Sequence, residues 1–138
     1  MKRAKDTANL ISDKFMHSEK ELIFKQDPRL REKSSGIYEG YPIGTTFFMA
    51  KEAGIDNRVY KAPGGENWLE VNERLKSFLS HMVEQSSTNT RVMKVLCVTH
   101  GSLILEIQNI LSGYLDDSVS YNTRPKAKIG SFYIYEIK

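Results

Sequence analysis

The chain has 138 residues, with 20 Lys and Arg against 17 Asp and Glu, for a formal net charge of +3 at neutral pH. With 40% hydrophobic and 27% charged residues it reads as one globular domain over 1–138; this excludes two full domains and a largely disordered chain. The single cysteine, Cys97, excludes an internal disulfide framework and a cysteine-based zinc site, and fits a reducing, cytoplasmic setting.

No apolar run approaches the ~18 residues of a membrane span, and Met1 to Asp6 carries basic residues with no apolar stretch behind them, unlike a signal peptide. The charges are mildly basic and interspersed. That balance suits a small anionic ligand better than a nucleic acid, whose binders concentrate their basic residues.

In chain order, Ala4, Ala8, Ile11 and Phe15 recur on one helical face, so the spacing predicts a helix that begins almost at residue 1 without a strand or cap before it. Leu22, Ile23 and Phe24 predict a short strand, stopped at Asp27-Pro28 because proline cannot extend a ladder. Arg29 to Gly44 is loop-like, and Thr46 to Ala53 predicts a short helix with Thr45 as a candidate cap. Trp68, Val71, Leu75, Phe78, Leu79 and Met82 form the clearest helical stripe, followed by a polar link from Gln85 to Thr90.

Val92 to Thr99 is β-rich and almost continuously apolar, which predicts a strand buried on both faces of a parallel sheet, with Cys97 as an inert core thiol inside it. A helix from about Ser102 follows, with Leu103, Ile104, Ile107, Ile110 and Leu111 inward and Gly113 as its stop. Ser131 to Ile137 predicts a last strand. Alternating strands and helices argue an α/β class, although three strands are few for this length.

His100 is the most informative candidate. It stands where the predicted strand ends and a helix begins, at the edge where open α/β sheets bind ligands, and Gly101 follows at a helix N-terminus suited to an anion. Glu32 and Arg3 are weaker when taken alone. A glutamate in a loop can donate a proton to a leaving oxygen, and an arginine fork matches phosphate oxygens, but each by itself reads more readily as an ordinary surface charge. Pro63-Gly64-Gly65-Glu66 reads as a structural turn into the Trp68 helix, and Arg124 to Lys128 as a solvated basic loop.

Together these pieces resemble the histidine phosphatase family, also called phosphoglycerate-mutase-like. Arg3-Ala4-Lys5-Asp6-Thr7-Ala8 resembles its Arg-Ala-x-x-Thr-Ala helix start, and Arg29-Leu30-Arg31-Glu32 with Gly36, Glu39 and Gly40 its Leu-x-Glu…Gly…Glu-Gly loop. Pro63 to Glu66 resembles the Gly-Gly-Glu turn, and Val98-Thr99-His100-Gly101 the strand end that carries the second active-site histidine. The wording of Asp27 to Glu32 and of Pro63 to Glu66 is most similar to the TIGAR-like fructose-2,6-bisphosphatases.

The resemblance implies a three-layer α/β/α sandwich with a mostly parallel sheet. It implies a phosphatase acting on a small phosphorylated sugar without metal or other cofactor, with Glu32 and His100 catalytic and Arg3 and Gly101 binding substrate. The family's nucleophilic Arg-His-Gly-Glu motif does not occur in these 138 residues, and neither His17 nor His81 has Arg before it or Gly after it.

The expectation is therefore a domain lacking its first strand and helix, inactive alone, and prone to self-association through an exposed edge of the Val92–Thr99 strand. A non-catalytic phosphoester- or partner-binding module and a mutase remain open alternatives. Lys128-Ile129-Gly130 departs from the asparagine that family members often carry near that place.

Overall fold

A computed structural model describes residues 2–15, 23–88, 93–113, 130 and 132–135. Four helices occur among them: α1 (Lys2–Phe15), α2 (Thr45–Glu52), α3 (Trp68–Ser87) and α4 (Gly101–Leu111), with short 3-10 turns at Pro28–Leu30 and Gly36–Tyr38. The chain divides into two compact units. One holds the residues through Glu32 and those from His81 onward, and the other spans Lys33–Ser80.

The predicted α/β/α sandwich with a mostly parallel sheet is overturned: no strand exists among the described residues. Residues 23–27, 93–99 and 132–135 run without regular structure. The remaining ends of the three predicted strands, including Leu22, Val92, Ser131 and Ile137, lie outside the described residues, as do His17, Arg124 to Lys128 and Ile129. A strand is defined by the ladder it shares with a neighbour, and an apolar β-rich run supplies only half of one.

Residues 93–99 make no ladder, and Val95 and Leu96 are 51% and 63% exposed rather than buried on two faces. Cys97, expected in the core, is exposed. The strand edge on which self-association was expected is absent from the described residues.

The helices follow the sequence more closely. α1 begins at Lys2 as its spacing predicts, although no residue of it is buried. α2 starts one residue early: Gly44, at φ 95°, takes the cap position given to Thr45, whose hydroxyl instead donates to the Pro42 carbonyl. α3 extends to Ser87, into the polar stretch read as a link.

Its start is locked by a reciprocal cap. The Asn67 side chain accepts from the Glu70 N–H at 2.9 Å, while the Glu70 carboxylate accepts from the Asn67 N–H at 3.0 Å. In the Lys33–Ser80 unit the buried apolar residues are Ala50, Ala62, Val71, Leu75 and Phe78. In the other unit α4 is hemmed in all round: Leu103, Leu105, Glu106 and Asn109 are buried, and the expected inward residues Ile104, Ile107, Ile110 and Leu111 only half-buried. No helix of the described residues is long and apolar enough to cross a membrane.

Candidate active site

The site lies in the unit formed by the two ends of the chain, and it is built by three local devices. Asp27 caps the Pro28–Leu30 turn by accepting from the Arg29 N–H at 2.9 Å, and its carboxylate also grips the Arg29 guanidinium at 2.6 Å. That guanidinium holds the Asp27 carboxyl below the usual carboxylate range, against the opposing effect of burial. The turn delivers Glu32 two residues beyond Leu30. Thr99 then donates its hydroxyl to the Leu30 carbonyl at 2.7 Å, tying the segment that ends in His100 to the one that ends in Glu32. His100, with extended backbone at φ −110° and ψ 153°, is the N-cap of α4, and Ile104 N–H closes the first helical bond onto its carbonyl. Arg3 arrives from the first turn of α1.

These devices bring together the side chains of three of the four expected site residues. Arg3 Nε stands 3.4 Å from His100 Nδ1, Arg3 Nη2 3.9 Å from Glu32 Oε2, and His100 Nδ1 3.6 Å from the same Oε2. Gly101, the fourth expected residue, opens α4, so its N–H is among those that the helix leaves without an internal acceptor. Exposure is graded across the cluster: the side chain of His100 is 5% exposed, that of Glu32 23% and that of Arg3 78%. The imidazole is thus enclosed while the guanidinium faces outward, where it can meet an anion.

Burial pushes the His100 pKa down; Glu32 opposes this and Arg3 adds to it. Arg3 can donate to Nδ1 only while that nitrogen carries a lone pair, which leaves the ring proton on Nε2.

One contact was not legible in the sequence. Ser102, read there only as a helix start, donates its hydroxyl to Glu32 Oε1. Its position two residues past His100, in the first turn of a helix, is a signal that could have drawn notice. Glu66 accepts from the Ser34 N–H at 3.1 Å and pairs with Arg74 at 3.0 Å inside the Lys33–Ser80 unit, the structural role its sequence suggested. No group of three or more His, Cys, Asp or Glu residues that could hold a metal ion occurs among the described residues.

A guanidinium, an imidazole and a carboxyl that meet in this way, beside the start of a helix, can bind a phosphoryl group and exchange a proton with an ester oxygen. Comparisons with known proteins bear on that chemistry. The sequence model of the histidine phosphatase superfamily (branch 1) matches residues 1–135. Fructose-2,6-bisphosphatase TIGAR B of Danio rerio is 32% identical over 123 residues, 85% of this chain and 43% of that protein. Fructose-2,6-bisphosphatase TIGAR of Xenopus laevis is 31% identical over 123 residues, 89% of this chain and 43% of that protein. The Xenopus tropicalis protein of the same name is 39% identical over 89 residues, 62% of this chain and 32% of that protein. The chain spans less than half the length of these curated relatives.

Proposed function

This chain belongs to the histidine phosphatase superfamily (branch 1), and from that premise we propose that its cluster of Arg3, Glu32 and His100 serves hydrolysis of a small phosphorylated sugar, of the fructose 2,6-bisphosphate kind named for its relatives. The observation that carries the reading is the meeting of those three side chains from remote parts of the sequence. Each then has a role. The exposed Arg3 fork takes two phosphoryl oxygens. His100, with its proton on Nε2, donates to a third, and the Gly101 N–H adds a helix-start donor. Glu32 gives a proton to the departing alkoxide and afterwards takes one from water.

Transfer through a phosphohistidine also needs a nucleophile, and the 138 residues contain no Arg-His-Gly-Glu motif. We therefore assign binding and proton transfer to these residues and no covalent step. By themselves they bind a sugar bisphosphate without turning it over. Calorimetry with fructose 2,6-bisphosphate, together with an assay for released phosphate and for phosphohistidine, tests this. The expected result is measurable binding, weakened about tenfold in Arg3→Ala, the worth of one charge-assisted contact, with no release and no phosphoenzyme. Phosphohistidine on this chain overturns the inactive assignment, and absence of binding overturns the substrate class.

The same cluster without a nucleophile also fits a phosphoester-binding module. An in-frame Arg-His-Gly strand end encoded upstream of residue 1 favours the phosphatase reading, and its absence favours the binding module, because a proton donor has nothing to serve without a nucleophile.

A further inference from the structure

We propose that Thr99 is a positioning residue, whose hydroxyl sets the spacing of Glu32 and His100 by joining the two chain segments that carry them. The inference rests on the roles proposed for those two residues, but its geometry stands separately. Thr99 carries the one hydroxyl in the run of residues 93–99. It donates to the Leu30 carbonyl at 2.7 Å, an ordinary length for such a bond, across 69 positions of sequence. Thr99 directly precedes His100, and Leu30 stands two residues before Glu32, so the bond lies beside the site on both segments.

Each segment is stiffened locally. On one side the Leu30 N–H donates to the Asp27 carbonyl at 3.1 Å, the Arg31 N–H donates to the Pro28 carbonyl at 3.2 Å, and the Asp27 carboxylate caps that turn. On the other, the His100 carbonyl accepts from the Ile104 N–H at 3.0 Å at the start of α4. Two strands would take their register from a shared ladder, and none exists among the described residues. The Thr99 hydroxyl supplies a fixed point in its place. Glu32 also meets Ser102, a contact that stays when the Thr99 hydroxyl is removed, so the expected consequence is a looser spacing and not a release. In the unaltered chain His100 Nδ1 stands 3.6 Å from Glu32 Oε2. Burial acts most strongly against a charged ring there, Glu32 favours it, and Arg3 and the amino terminus disfavour it. Coulomb coupling falls inversely with separation, so the influence of Glu32 on His100 reads their spacing.

The test is a nuclear magnetic resonance titration of the His100 ring in the 138-residue chain, with His17 and His81 assigned by His→Gln variants. The quantity read is the drop in the His100 midpoint that Glu32→Gln causes. In Thr99→Val, which keeps the side-chain shape and loses the hydroxyl, that drop is expected to shrink to about half, the loss that a doubled separation brings. In Thr99→Ser, which keeps the hydroxyl, it is expected to stay at its full size. An undiminished drop in Thr99→Val overturns the proposal, since a general structural prop lowers stability and leaves this coupling intact. So does the lack of any drop in the chain with Thr99 unaltered. Where Thr99→Val does not fold, Thr99→Ser decides: a full drop supports the proposal and a diminished one overturns it. Binding of fructose 2,6-bisphosphate to the unaltered chain is measured alongside. Its absence overturns the functional reading while leaving the Thr99 result to stand or fall on the titration.

Discussion

Nδ1 of His100 can accept a hydrogen bond from Arg3 or, once protonated, donate one toward Glu32, but it cannot do both. Burial favours the neutral state, so the His100 pKa lies below its ordinary 6.5 in the folded chain. The consequence for stability has a definite sign. Above about pH 6.5 the ring is neutral in both the folded and unfolded chains and costs nothing; below it the unfolded chain takes up a proton that the native ring resists. Stability is therefore expected to fall as the pH drops from 6.5 through the lowered native value. His100→Gln should flatten that limb in urea denaturation measured from pH 8 to 5. Asp27, held below 3.8 by Arg29, gives a second and separate loss at lower pH, which Asp27→Asn should remove. The candidate residues themselves were legible because each chemistry needs its own side-chain type at a recognisable local spot. Their mutual distances were not, because Arg3 and His100 lie 97 positions apart.

At the scale of elements, the Lys33–Ser80 unit is pinned where two glycine-bearing turns meet. Ile37 N–H donates to the Pro63 carbonyl at 3.0 Å, and Glu66 N–H donates to the Ser34 carbonyl at 3.0 Å. Gly36 sits at φ +58°, and a Cβ there would collide with the Pro63 carbonyl and the Gly65 nitrogen. Gly64 sits at φ +69° with open space around it. Gly64→Ala should therefore cost only the ~1–2 kcal/mol of the left-handed conformation, whereas Gly36→Ala should cost clearly more; thermal or urea unfolding of the two variants distinguishes them. The Glu66–Arg74 pair, each side chain 12% exposed, closes the same junction. Arg74→Ala is expected to cost about 3 kcal/mol, since it leaves a buried carboxylate without its cation. The sequence motif marked this turn as structural. It could not show that Glu66 belongs to the junction rather than to the first turn of α3, whose acidic residue is Glu70.

At the scale of the whole molecule, helices were foreseeable and the sheet was not realised. Leu75 and Leu96 make the difference measurable. Leu75 is fully buried on the predicted face of α3, so Leu75→Ala should cost about 2–5 kcal/mol. Leu96, read as the centre of a buried strand, is 63% exposed, so Leu96→Ala should cost less than about 1 kcal/mol. A core-sized loss at Leu96 in urea titrations would restore the buried strand and contradict the irregular path of residues 93–99. The sequence by itself determined the four helical stretches to within a few residues and the breaking turns, and it singled out Arg3, Glu32 and His100 as candidates. It could do so because helix periodicity, caps and turn chemistry act over three or four residues. The tertiary structure decided what depends on remote partners. A β-rich run became a strand or not according to whether a neighbour offered it a ladder. Arg3, Glu32, His100 and Ser102 became one cluster because the Thr99–Leu30 bond and the start of α4 brought distant parts of the chain together.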